Sequence, residues 1–150
     1  PLQGWRGAMS MPRRLSLRKT GEGYVLVQQP EAELTRRVPS VRPEQESVPA
    51  ACRITLPRDR DFAYGLRDEF DREIRIERRG RDLFVTRRDP LSPFLDDVRR
   101  TAISPGIDLE LWLDYGSAEI LSATGELSIT VQHRLQGNEL QSRYLPGAPA

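Results

Sequence analysis

Residues 107–114 read IDLELWLD, apolar and polar residues alternating one by one. Ile107, Leu109, Leu111 and Leu113 fall on one side of an extended chain and Asp108, Glu110, Trp112 and Asp114 on the other, because successive strand side chains point to opposite faces. A helix would scatter those aliphatic residues around its circumference. The same period of two returns at residues 13–19, 24–28, 51–56, 62–66, 73–78, 83–87, 117–121, 127–131 and 140–145, with turn-forming residues between the runs. Short alternating runs with almost no helical period predict an all-β chain, best accommodated as a two-sheet antiparallel β-sandwich, with a closed barrel as the alternative. Cys52, Ile54 and Leu56 share a predicted core face, and Ile74 and Ile76 point inward. Residues 79–82 and 123–126 are the turns of two hairpins, and residues 31–37 are long enough for one or two helical turns. The proline-bearing stretches 38–50 and 89–106 are predicted to be loops, the second crossing between sheets. Residues 146–150 are expected to form a frayed tail.

Charge and composition remove several function classes. With 23 basic and 22 acidic residues the chain has a net charge of +1, so it lacks the one-sign field that would hold nucleic acid or an anionic membrane, and neither is expected as a partner. No run approaches the roughly 18 consecutive apolar residues of a membrane span. All basic residues except Lys19 are arginine, a pattern that reflects composition bias or a use for planar forks that pair with carboxylates. Cys52 is the single cysteine and His133 the single histidine, which excludes an internal disulfide and any multi-cysteine or multi-histidine metal site. Cys52 is expected to be a buried thiol and His133 a solvent-facing strand residue. Gly21, Gly23 and Gly80 stand singly at turns and build no phosphate-cradling loop. No metal or other cofactor is expected.

A few residues carry enough chemistry to be weighed as site candidates. Trp112 interrupts an otherwise polar strand face, where its flat ring either stacks on a sugar or is covered by another layer. Asp114 and Glu119 flank the turn that follows. Their carboxylates suit either a structural use, accepting backbone donors and pairing with arginine, or contact with a sugar. Arg88-Asp89-Pro90 ends in Asp-Pro, a residue pair common at turn starts.

Residues 5–18 read WRGAMSMPRRLSLR and residues 23–34 read GYVLVQQPEAEL. Together they resemble the junction in glycoside hydrolase family 32, the β-fructosidases (invertases, levanases and inulinases), where the last blade of a catalytic β-propeller runs into a C-terminal β-sandwich. Residues 109–121, LELWLDYGSAEIL, resemble the family's second sandwich signature, with Asp114, Ser117 and Glu119 on matching positions and Thr124-Gly125-Glu126 on its polar turn. Leu121 stands where members commonly have an aromatic residue, and residues 132–134 lack the usual arginine-aromatic pair, which marks a divergent member. The resemblance implies that residues 1–12 are the end of a propeller, with Trp5 and Arg6 seating its last blade. Residues 13–145 would be the C-terminal sandwich and 146–150 a flexible tail. It also implies that the chain begins mid-protein, so that an export signal would lie upstream.

The parent enzyme implied by this resemblance hydrolyses fructosyl bonds in sucrose, levan or inulin with retention and without a metal or organic cofactor. Its catalytic carboxylates lie in a WMNDPNG-like motif, in RDP and in EC. The only asparagine here is Asn138 and Cys52 follows Ala51, so two of these motifs are absent. Arg88-Asp89-Pro90 spells the third within the sandwich region, where it reads as a strand end and a loop. No catalytic residue is therefore expected in this chain, and it should be inactive alone. The implied partner is the catalytic propeller, which the sandwich would support; fructan or sucrose and a second copy of the chain are further partners left open. The alternative is an independent carbohydrate-binding module, with Trp112, Asp114 and Glu119 as candidate substrate contacts.

Overall fold

The computed structural model describes residues 10–58 and 60–147. Trp5 and Arg6 lie outside them, as do residues 148–150. Among the described residues the chain is β-rich, with strands in three sheets and no barrel. Strands β1 (Arg13–Thr20) and β2 (Gly23–Pro30) pair antiparallel as a separate two-stranded sheet, and a short helix α1 (Ala32–Arg37) follows. The remaining strands build a sandwich. They are β3 (Ser40–Val41), β4 (Ser47–Pro49), β5 (Cys52–Leu56), β6 (Phe62–Arg67), β7 (Glu73–Arg79), β8 (Asp82–Arg88), β9 (Asp97–Ala102), β10 (Leu109–Asp114), β11 (Ser117–Ser122), β12 (Ser128–Gln132) and β13 (Glu139–Pro146). One sheet has the order β12-β11-β10-β5-β3 and the other β4-β13-β6-β7-β8-β9. All neighbours are antiparallel except β3, which runs parallel to β5.

The alternation read from the sequence places the core between these sheets. Cys52, Ile54, Leu56, Leu109, Leu111 and Ile120 from one sheet meet Phe62, Tyr64, Leu66, Ile74, Ile76 and Leu83 from the other, all at 0–1% exposure. Each such aliphatic or aromatic side chain contributes about 1.5–3 kcal/mol on leaving water. Burial also pushes the Cys52 thiol up to about 11, which keeps it protonated and inert.

The structure differs from the sequence reading in the two proline-bearing segments. Residues 38–50 contain β3 and β4, and Pro49 is tolerated because β4 lies at a sheet edge, where a missing N–H breaks no ladder. Residues 89–106 contain β9, the opposite edge of the same sheet. Its sequence DVRRTA has no buried residue, so the alternation that marks a half-buried strand is missing. The closing strand also runs into the expected tail: Pro146 pairs with Phe62, and the Gly147 N–H donates to the Asp61 carbonyl at 2.8 Å.

Arginines seal one edge that would otherwise offer free carbonyls. β12 ends the five-stranded sheet, and its Thr130 and Gln132 carbonyls accept from Arg99 (3.0 Å) and Arg87 (2.8 Å) of the facing sheet. Satisfying an exposed ladder edge in this way blocks strand addition there.

The β1–β2 hairpin is a third layer, placed against the outer face of the five-stranded sheet. Its Gln28 N–H donates to the Gly125 carbonyl at 2.8 Å. Gly125, in the turn between β11 and β12, has φ +75°, and a Cβ there would lie 2.8 Å from both the Gln28 carbonyl oxygen and Val27 Cγ1. Only glycine combines that backbone with that approach. Arg18 also pairs with Glu126 across the seam.

Candidate functional site

The register of the five-stranded sheet lays Arg53, Trp112, Glu119 and Thr130 side by side on its outer face. An outer face normally meets water, so these residue types read from sequence as solvated. Instead Trp112 is 6% and Glu119 2% exposed. Arg53 lies over the indole at 5.8 Å, and indole Nε1 donates to Glu110 Oε2 at 3.0 Å. A ring so covered offers no free face for stacking on a sugar.

Glu119 is held by the segment that enters β1. Its Oε1 accepts the Met11 backbone N–H at 2.6 Å, and its Oε2 pairs with the Arg13 guanidinium. Arg13 also donates to Gln28 Oε1 (2.9 Å), Thr130 Oγ1 (3.1 Å) and Ser128 Oγ. With side chains 10% and 3% exposed, this is a buried, charge-assisted clamp between the hairpin and the sandwich. Asp114 stands apart from it. That side chain is exposed at the turn after β10, where Oδ1 accepts the Tyr115 N–H at 2.8 Å. The three candidates thus divide into a covered indole, a clamp carboxylate and a turn residue.

Asp89 of the RDP triplet starts the loop after β8. Its N–H donates to Asp96 Oδ1 at 2.7 Å, its Oδ1 accepts the Leu91 N–H at 3.1 Å, and its carbonyl accepts the Ser92 N–H at 2.9 Å. That is the bonding of an aspartate that organises a turn.

A polar cluster that the sequence did not single out lies at one end of the sandwich. Asp68, 4% exposed, folds the β6–β7 turn: Oδ1 accepts the N–H groups of Phe70 (2.9 Å) and Arg72 (3.1 Å). Its Oδ2 accepts Arg72 Nε (2.8 Å) and the Gln136 N–H (2.9 Å), which ties the turn to the chain beyond β12. Arg72 lies over the Phe70 ring at 4.8 Å. Aspartate followed four residues later by arginine across a turn was the available local signal, but the Gln136 contact is long-range.

His133 belongs to the same region and corrects the expectation of a solvent-facing residue. It is 9% exposed, because it falls in step with Ile129, Val131 and Leu135, and the alternation of β12 carries one residue past the strand's end to turn the imidazole inward. Nδ1 accepts the Leu135 N–H at 3.2 Å while buried Nε2 makes no hydrogen bond. Burial lowers the pKa from 6.5 to about 4, and the backbone of Asp114 and Ser117 with the charges of Asp114 and Asp68 opposes this only in part. A histidine held neutral in the fold but free to protonate when unfolded stabilises fully above pH 6.5, and that contribution is lost as pH falls towards 4, by up to about 3 kcal/mol. Thermal melts between pH 7 and 4 should therefore fall less steeply for His133→Gln than for the parent. Equal slopes would show that His133 carries no such linkage.

No family model matches this sequence, and no curated protein matches it. Solved structures do. The exo-inulinase of Aspergillus awamori aligns with a TM-score of 0.67 at 18% identity, over 98% of this chain and 34% of that one. The Bombyx mori GH32 beta-fructofuranosidase aligns with a TM-score of 0.66 at 17% identity, over 98% of this chain and 35% of that one. A mutant of the latter in complex with sucrose aligns with a TM-score of 0.62 at 14% identity, over 94% of this chain and 33% of that one. The chain spans about a third of the length of these enzymes and matches their C-terminal part. A match over 98% leaves too few residues outside it to omit the hairpin, so the hairpin layer is part of the shared fold.

Proposed function

We propose that this chain is the C-terminal β-sandwich region of a family 32 glycoside hydrolase acting on fructosyl bonds, and that its role is to support the catalytic part rather than to catalyse. The hairpin carries the reading. Cross-strand register puts Leu15, Leu17, Tyr24 and Leu26 on one of its faces, and they are 61%, 69%, 68% and 47% exposed. The opposite face is fastened through Val27 at the Gly125 turn, and the end of the hairpin where the chain enters β1 is held by the buried Arg13–Glu119 clamp. A two-stranded ribbon held this firmly yet presenting an apolar face outward is suited to continue the sheet or core of a neighbouring domain. The fold it shares with one third of much longer enzymes supplies the candidate neighbour.

The carboxylates argue in the same direction. Glu119 is engaged by Arg13 and Met11, and Asp89 by its own turn, whereas glycoside hydrolysis needs two carboxyl groups free to face a substrate. The isolated chain is expected to release no reducing sugar from sucrose or inulin and to self-associate in light scattering. Leu17→Glu with Leu26→Lys should restore a monomer without lowering the melting temperature. A parent chain that is already a monodisperse monomer, or sugar release that Asp89→Asn abolishes, would sink this reading. The carbohydrate-binding alternative no longer rests on Trp112, which lies beneath Arg53.

A further inference from the structure

The outer face of the six-stranded sheet, on the side away from the hairpin, holds a groove of about 660 Å³. Its floor lies on β6. Register sets Gly65 between Arg143 of β13 and Arg75 of β7, and with strands about 4.8 Å apart the two arginine stems rise roughly 10 Å from one another across a residue with no side chain. In the next row Gln141 and Glu73 flank Arg67 in the same way.

Gly65 has no conformational reason to be glycine. It is absent from the glycines with positive φ and lies in regular ladder pairing, so the backbone there would accept any residue. Glycine inside a strand weakens it, and is often found where a ligand approaches closely. The Glu73 carboxylate leans over the gap, its Oε1 lying 3.2 Å from where a Cβ would stand. Arg143 has no hydrogen-bond or ion-pair partner among the described residues, and Arg75 Nε is buried without one while its terminal nitrogen pairs with Glu77 at 2.8 Å.

The mixture of groups selects the ligand class. A site for an anion would present donors alone, and Glu73 and Glu46 on the rim would repel one; a cation site would not be ringed by arginines. Alternating donors and acceptors over a small-residue floor suit hydroxyl groups, each of which donates and accepts. We propose that this groove is a non-catalytic saccharide-binding site in which Arg143 and Arg75 straddle vicinal hydroxyls over Gly65, with Glu73 and Gln141 accepting from them. The inference stands apart from the support role and needs no catalytic neighbour.

The test is amide chemical-shift mapping of the whole chain titrated separately with sucrose, an inulin oligosaccharide and inorganic phosphate. Saturable shifts centred on Gly65, Arg75 and Arg143 with a sugar are the expected result. Arg143→Ala should weaken that binding by about tenfold, the loss of one charge-assisted contact. Gly65→Leu, which fills the floor, should abolish it with a melting temperature close to the parent's; if that variant fails to fold, Arg143→Ala and the shift map decide. Absence of saturable sugar shifts, shifts centred elsewhere, or phosphate binding in place of sugar would overturn the proposal.

Discussion

Asp68→Ala is expected to destabilise the chain by about 3–5 kcal/mol, because it leaves a buried arginine without its counter-charge. The Asp68 side chain is 0% and Arg72's 8% exposed, with their nitrogen and oxygen 2.8 Å apart. The same substitution strips acceptors from the N–H groups of Phe70, Arg72 and Gln136, and buried donors left without partners each add to the cost. For a chain of this length that corresponds to a fall in melting temperature on the order of 10 °C. The exposed pair between Asp97 and Arg99, 3.0 Å apart with side chains 37% and 52% exposed, is the control, and Asp97→Ala should change stability by less than about 1 kcal/mol. Similar melting curves for the two variants would show that burial of the Asp68 cluster contributes nothing special.

Glu119→Ala acts on a different unit. Removing it leaves Arg13 buried among Gln28, Ser128 and Thr130 with no carboxylate, again at a cost of about 3 kcal/mol or more. The hairpin is joined to the sandwich by few other polar contacts, so the loss should fall on docking rather than on the core. Hydrogen exchange should quicken at the amides of β1 and β2 while Ile54, Leu111 and Ile120 stay protected. Because an uncompensated charge is the main penalty, Arg13→Ala combined with Glu119→Ala should cost clearly less than the sum of the two single changes. Additive losses, or hairpin amides that remain slow to exchange in Glu119→Ala, would refute the clamp.

These two residues show what the sequence could and could not convey about the site. Glu119 stood out because it matched a family motif, and pairing with an arginine was one of its two readings. Which arginine was hidden: Arg13 lies 106 positions away, in a segment that also reads as an ordinary strand. Trp112 was weighed as either a platform or a covered ring, and its 6% exposure, with Arg53 of the neighbouring strand over the ring, is what the alternation could not show. His133 was misread because its polarity was weighed above its place in the alternation, which sets it in step with the buried Ile129 and Val131 of β12.

Strand β9 failed for the opposite reason. A strand exposed on both faces has nothing to alternate, so its existence follows from the open edge of β8 and not from its own residues. The groove over Gly65 was equally illegible, since Arg75, Gly65 and Arg143 become neighbours only when β7, β6 and β13 are paired in register.

The amino-acid sequence by itself determined that the chain is all-β, which faces of β5, β7 and β10 enter the core, and where the two hairpin turns after β7 and β11 fall. Those are properties of residues one or two positions apart, expressed through the alternation of side chains on a strand. Only the tertiary structure decided which polar residues leave water. A solvated outer face and one covered by a third layer have the same alternating pattern, and what separates them is a long-range contact, here the docking of residues 11–30 on the five-stranded sheet through Glu119 and Gly125.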